Sequence, residues 1–140
     1  MCIRDSNRTL RLMNRFILAA HGRLAEAFLQ SAEMIAGKQD KETVFAVPFL
    51  PEDSLDCLKE RLGAIIEKYP DDQFYIFCDL KGGSPFNASF LLSQKFSRIH
   101  VIAGLNLAML LEALLQRETI QSIEDILEII ENSKTLMYVK

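Results

Sequence analysis

His21 and Asp79 are the residues of this chain best placed to do chemistry together, because each follows a short apolar run and precedes a helical pattern. Phe16-Ile17-Leu18-Ala19-Ala20 reads as a strand that delivers His21-Gly22, and Gln73 to Cys78 reads as another that delivers Asp79. A carboxylate that accepts from one imidazole nitrogen fixes the tautomer and leaves the other nitrogen free as a nucleophile. An isolated strand-end histidine reads most simply as a side chain bonded to nearby backbone; its partnership with Asp79 favours the functional reading. The stretch Asp79-Leu80-Lys81-Gly82-Gly83-Ser84-Pro85-Phe86-Asn87 adds a way to hold an anion. Two glycines let the backbone fold tightly and approach a ligand, and Ser84 and Pro85 take the cap and first-turn positions of a helix. Unpaired amides at a helix start attract phosphate. Gly82, Gly83 and Ser84 are therefore expected to hold a phosphoryl group attached to His21, while Asp79 orients the ring and balances its charge. The plainer reading, a loop that only turns the chain with Ser84 as its cap, is compatible with this one.

Other candidates carry less. The glycine loop lacks the spaced glycines followed by Lys and Ser/Thr of a P-loop, so no nucleotide is expected. His100 sits in the alternating run Arg98-Ile99-His100-Val101-Ile102 and is read as solvent-facing or locally bonded, without chemistry. Asn106, in Gly104-Leu105-Asn106, is a possible lining residue at the same sheet edge, and equally a turn residue or helix cap. Cys2, Cys57 and Cys78 share no metal-ligand or redox spacing, which points to reduced thiols with no zinc site or disulfide framework. Cys78, at the end of an apolar strand, is expected to be a core residue, with a catalytic thiol as the minority reading. Neither metal nor cofactor is expected.

The elements that must position these residues alternate. Leu24, Ala25, Phe28, Leu29, Ala32 and Ile35 recur at helical spacing and Gly37 offers a stop. Thr43 to Val47 forms a strand ending at Pro48, and Leu55 to Ile66 a helix that stops before Pro70. Two more pairs follow: Gln73 to Cys78 with Pro85 to about Lys95, and Ile99 to Ala103 with Leu107 to about Arg117. Four successive β/α units imply an α/β fold with a parallel sheet covered on both faces. In such a sheet ligands bind outside the carboxyl ends of the strands, where His21 and Asp79 both fall. Ser122 then caps a further helix with Asp125 at the capping-box position. The final run Thr135 to Val139 has strand composition and would form an edge strand on its own sheet or on a partner's.

The chain has 140 residues, 49% hydrophobic and 25% charged, which suits one domain with a sizeable core. No apolar run approaches the roughly 20 residues needed to span a bilayer. A net charge of −3 and the lack of any basic stripe interleaved with aromatics argue against nucleic acid as a partner. Residues 1–12 hold three arginines with little hydrophobic periodicity before Met13, and read as an extension to a domain spanning 13–140.

His21-Gly22 after the first strand, Asp79-x-x-Gly82-Gly83-Ser84-Pro85-x-Asn87 after the third and Gly104-x-Asn106-Leu107 after the fourth make the chain resemble the enzyme IIA domain of mannose-family bacterial sugar phosphotransferase systems. The likeness runs from about Arg15 through Arg117, and Ala32-Glu33-Met34-Ile35-Ala36-Gly37 extends it within the first helix. The resemblance implies a flavodoxin-like doubly wound fold and a homodimer exchanging a C-terminal strand, for which Thr135 to Val139 is the candidate. It implies a cytoplasmic phosphotransferase component in which His21 takes a phosphoryl group on Nε2 from the phosphocarrier HPr. His21 would then pass it to a cysteine or histidine of enzyme IIB, a histidine in the mannose family, serving the membrane IIC and IID components without entering the bilayer. It further implies that Asp79 orients His21 and that Ser84 contacts the phosphoryl group. Ala108, where proline is frequent, and Ala20, where glycine or a small polar residue is common, depart from the family without removing a catalytic group.

Three rivals stand beside this reading. The phosphocarrier subunit of a dihydroxyacetone kinase resembles the same fold, but the Gly82-Gly83-Ser84-Pro85 loop favours the mannose family. A receiver domain phosphorylated on Asp79 would want an acidic pair after the first strand, which Ala19-Ala20-His21 does not supply. A regulatory module of the same fold without turnover is made less attractive by the presence of both His21 and Asp79.

Overall fold

The computed structural model describes residues 12–140, so the expected extension lies outside the described residues apart from Leu12. Strand β1 (Asn14–His21) leads to helix α1 (Leu24–Ala36), β2 (Val44–Phe49) to α2 (Leu55–Lys68), β3 (Gln73–Cys78) to α3 (Ser84–Lys95), and β4 (Ile99–Ala103) to α4 (Leu107–Gln116). A 3-10 turn at Arg117–Thr119 and helix α5 (Ile123–Lys134) follow. All strand pairs are parallel, and the order across the sheet is β2-β1-β3-β4. This is the flavodoxin-like doubly wound arrangement. The chain leaves β1 toward β2 on one side, then returns past β1 to lay β3 on the other.

Successive side chains of a strand point to opposite faces, so an uninterrupted apolar strand feeds two cores. Phe16, Leu18 and Ala20 pack on one face with Tyr75, Phe77 and Ile102, beneath α1, α4 and α5. Ile17 and Ala19 pack on the other with Phe74, Ile76 and Cys78, beneath Leu58, Leu62 and Ile66 of α2 and Ala88 and Leu92 of α3. Local chemistry bounds several of the helices. Ser54 caps α2 by accepting from the Cys57 N–H at 3.1 Å. In the Ala32-to-Gly37 stretch, Gly37 ends α1 at φ +95°, and Glu33 accepts from the Gln39 N–H at 3.0 Å. At α5 the Ser122 hydroxyl makes no capping bond. Asp125 instead reaches back to accept from the Gln121 N–H at 2.8 Å.

Two expectations are corrected. β2 does not stop at Pro48 but runs through it to Phe49, with Pro48 level with Ala20. β2 is the sheet's outer strand beside β1, and a proline is tolerated there because one edge of such a strand has no ladder to donate to. Thr135 to Val139 forms no strand on the chain's own sheet: α5 ends at Lys134, a turn follows, and Leu136 to Val139 lie exposed.

Leu62 is fully buried under the sheet whereas Leu127 on α5 is 52% exposed. Leu62→Ala should cost about 2–5 kcal/mol of unfolding free energy in urea titration, and Leu127→Ala within about 0.5 kcal/mol of none. Equal costs would contradict this placement of the core.

Candidate functional site

β1 and β3 are hydrogen-bonded neighbours, and their last paired residues are Ala19 and Cys78. Beyond that pair β3 ends at Cys78 while β1 runs on to His21 beside β2, at the point where the strand order reverses. His21 and Asp79 consequently meet, with Nδ1 of the imidazole 2.8 Å from Asp79 Oδ2. The same oxygen accepts from the His21 backbone N–H at 3.0 Å, and Oδ1 accepts from the Leu80 N–H at 2.9 Å. Burial pushes the Asp79 carboxyl up, but the hydrogen bonds from the His21 ring, the His21 amide and the Leu80 amide outweigh it. The carboxyl is held below its usual range and stays ionised at neutral pH. An ionised carboxylate only accepts, so in the neutral ring Nδ1 carries the proton and Nε2 presents its lone pair. The carboxylate is mostly covered, 11% exposed, and the imidazole is 44% exposed.

The glycine loop sits against that free nitrogen. A β-turn from Leu80 to Gly83 is closed by the Gly83 N–H donating to the Leu80 carbonyl at 3.2 Å, and Gly82 takes φ +88° at its third position. A side chain on Gly83 would place its Cβ 2.7 Å from His21 Cε1 and 3.3 Å from Nε2. Only glycine fits, and the start of α3 therefore lies beside Nε2. Gly83, not Ser84, is the N-cap residue of α3. Ser84 and Pro85 occupy its first turn, and among the described residues the Ser84 hydroxyl makes no hydrogen bond within the chain. Gly83 thus holds the cap position expected of Ser84, and no side chain caps the first amides of α3. Asn87 donates to the Gly82 carbonyl at 3.1 Å and fastens the loop to the helix.

The remaining candidates separate. Asn106 does lie after β4 at the same sheet edge, but its side-chain oxygen caps α4 by accepting from the Met109 N–H at 2.8 Å. His100 is locally bonded, its Nε2 2.8 Å from Gln73 Oε1 and its ring stacked on Tyr75 at 4.8 Å. Burial pushes the Cys78 thiol up to about 12, which suppresses the thiolate and fits a core residue. Cys57 is an exposed free thiol, and Cys2 lies outside the described residues. Two contributors carried no assigned role in the sequence reading. Asn87 was visible as part of the loop motif, one turn into α3. Phe49, whose ring stands 6.0 Å from the imidazole at 85°, had as its only signal an aromatic side chain at the carboxyl end of β2.

The family model described as "PTS system fructose IIA component" matches residues 15–131. The mannose-specific EIIAB component of Escherichia coli K12 is 34% identical over 111 residues, 79% of this chain. The chain spans about a third of that relative's length, 34%. The sorbose-specific EIIA component of Klebsiella pneumoniae is 34% identical over 106 residues, covering 76% of each chain. Among solved structures, phosphotransferase system component EIIA from Streptococcus agalactiae superposes with a TM-score of 0.80 at 32% identity, covering 91% of this chain and 97% of that one. With the doubly wound sheet and the motifs at its carboxyl edge, these matches mean that the chain belongs to the mannose-type EIIA family of sugar phosphotransferase system components.

Proposed function

We propose that this protein is a phosphocarrier in which His21 Nε2 accepts a phosphoryl group from phospho-HPr and passes it to enzyme IIB. The observation that carries this reading is the Nδ1 contact to Asp79 at 2.8 Å, which in the neutral ring leaves the Nε2 lone pair free beside the start of α3. In the accepting step the Nε2 lone pair attacks phosphorus in line with the donor histidine. The new P–N bond forms as the old one breaks, and that bonding pair returns to the donor nitrogen. The second step repeats this with His21 as donor and a IIB histidine as acceptor. Such a transfer needs positioning and donors to the equatorial oxygens more than covalent machinery. Gly82 and Gly83, with the Ser84 hydroxyl and the first amides of α3, would receive those oxygens. The ionised Asp79 stabilises the ring as it gains positive character on phosphorylation.

The half-exposed imidazole suits a carrier that must meet two partners in turn, since a deeply buried phosphohistidine could not be reached by either. No helix among the described residues is long and apolar enough to cross a membrane. This fits a cytoplasmic component that serves the IIC and IID membrane proteins only through IIB. The relatives are named for mannose and sorbose, and the sugar would be chosen downstream of this chain. The homodimer is part of the same reading. β4 ends the sheet, and the apolar run Leu136 to Val139 is exposed, so a strand from one subunit could complete the edge of the other.

Phosphoryl transfer from phosphoenolpyruvate through enzyme I and HPr should give an acid-labile label on the wild type and none on a folded His21→Ala variant. A wild type that stays unlabelled with an active relay would refute the carrier and favour a regulatory module. Asp79→Asn should retain the fold and slow transfer by about 100-fold, because an amide can present its N–H to Nδ1 and favour the wrong tautomer. Unchanged kinetics would remove Asp79 from the mechanism. Deleting residues 135–140 should shift the dimer toward monomer in light scattering, and an undiminished dimer would count against strand exchange.

A further inference from the structure

A single hydrogen bond does not fix an imidazole. With Nδ1 held by Asp79 at 2.8 Å, the ring can still rock about the Nδ1···Oδ2 direction and swing Nε2 through an arc. Gly83 limits that motion on one side, since its backbone leaves no room for even a Cβ beside Cε1. A second limit is supplied by Phe49. Its backbone is locked to the nucleophile's own strand: it is level with His21, and it exchanges hydrogen bonds with Gly22. The Gly22 N–H donates to the Phe49 carbonyl at 2.7 Å, and the Phe49 N–H donates to the Gly22 carbonyl at 3.2 Å. The two rings stand at 6.0 Å and 85°, within the range where edge-to-face aromatic pairs are attractive.

We propose that Phe49 is a positioning residue for phosphoryl transfer, forming with Gly83 a slot that fixes the direction in which His21 Nε2 points. This inference rests on the phosphocarrier reading for its kinetic consequence but not for its geometric one. The continuation of β2 past Pro48 gives it a structural basis. β2 continues through the proline far enough to bring Phe49 level with His21, and a strand that stopped at Val47 would leave that side of the ring open. A flat aromatic wall restricts the imidazole while leaving Nε2 accessible. A branched aliphatic side chain would fill similar space without the same directional contact.

The test compares Phe49→Leu and Phe49→Tyr in the HPr-dependent relay, with nuclear Overhauser contacts measured on the wild type. The wild type should show contacts between the Phe49 and His21 ring protons. Phe49→Leu should lower kcat by about tenfold with KM for phospho-HPr unchanged, as expected for a misaimed nucleophile, and Phe49→Tyr should restore kcat. The His21 ring-proton resonances should move in the leucine variant and return in the tyrosine variant. A raised KM at unchanged kcat would make Phe49 a docking residue and overturn the proposal, as would full activity in Phe49→Leu. Absence of ring-to-ring contacts in the wild type overturns it even if the leucine variant fails to fold. If the wild type takes no label at all, the carrier reading fails while those contacts still decide whether Phe49 orients the ring.

Discussion

Three donors converge on one carboxylate. The His21 ring, the His21 amide and the Leu80 amide all give hydrogen bonds to Asp79, and everything else at this sheet edge is arranged around that convergence. The carboxylate is nearly covered, a position that would favour its protonated form if the donors were absent. Because they are present it remains an anion, and an anion there dictates which imidazole nitrogen is protonated. In the proposed carrier, the attacking nitrogen would thus be selected by a side chain that need never touch the phosphoryl group.

That contact exists only because β1 and β3 are neighbours. Residues 58 positions apart in sequence become adjacent when the chain passes back across β1 to start the second half of the sheet. The same geometry constrains the residues just inside the site. Ala19 and Ala20 are fully buried and pack into opposite cores, so the last two side chains before His21 belong to the cores rather than to the site. On the far side of the ring, the absence of a Cβ at Gly83 lets the start of α3 close on Nε2, and Asn87 holds the loop in that position.

The outer edges of the sheet are managed differently. β2 carries Pro48 within it, which removes one donor from an edge and discourages pairing with another chain. β4 has no such device, and the apolar residues after α5 lie exposed in the single chain.

Much of this was legible in the residues. The alternation of apolar runs with helical spacing fixed four β/α units, and the boundaries of β3 and β4 agree because each run is bounded by polar or glycine residues. His21 and Asp79 could be placed at one edge because a parallel sheet puts all strand ends of one kind on one side. Local rules failed where tertiary contacts supplied an alternative. Ser84 does not cap α3, since Gly83 holds the cap position, whereas the Asn106 cap of α4 followed the local rule. Pro48 stays in its strand because that strand is an edge. Phe49 was silent because nothing in a sequence tells which ring will face which across two strands. Sequence by itself determined the element order, the chemical groups and the end of the sheet they occupy, since these depend on periodicity and turn chemistry along the chain. Only tertiary structure decided which ring nitrogen faces Asp79, the exclusion of a side chain at Gly83 and the approach of Phe49 to the imidazole. Each of those is a distance of a few ångströms between residues that the chain alone leaves far apart.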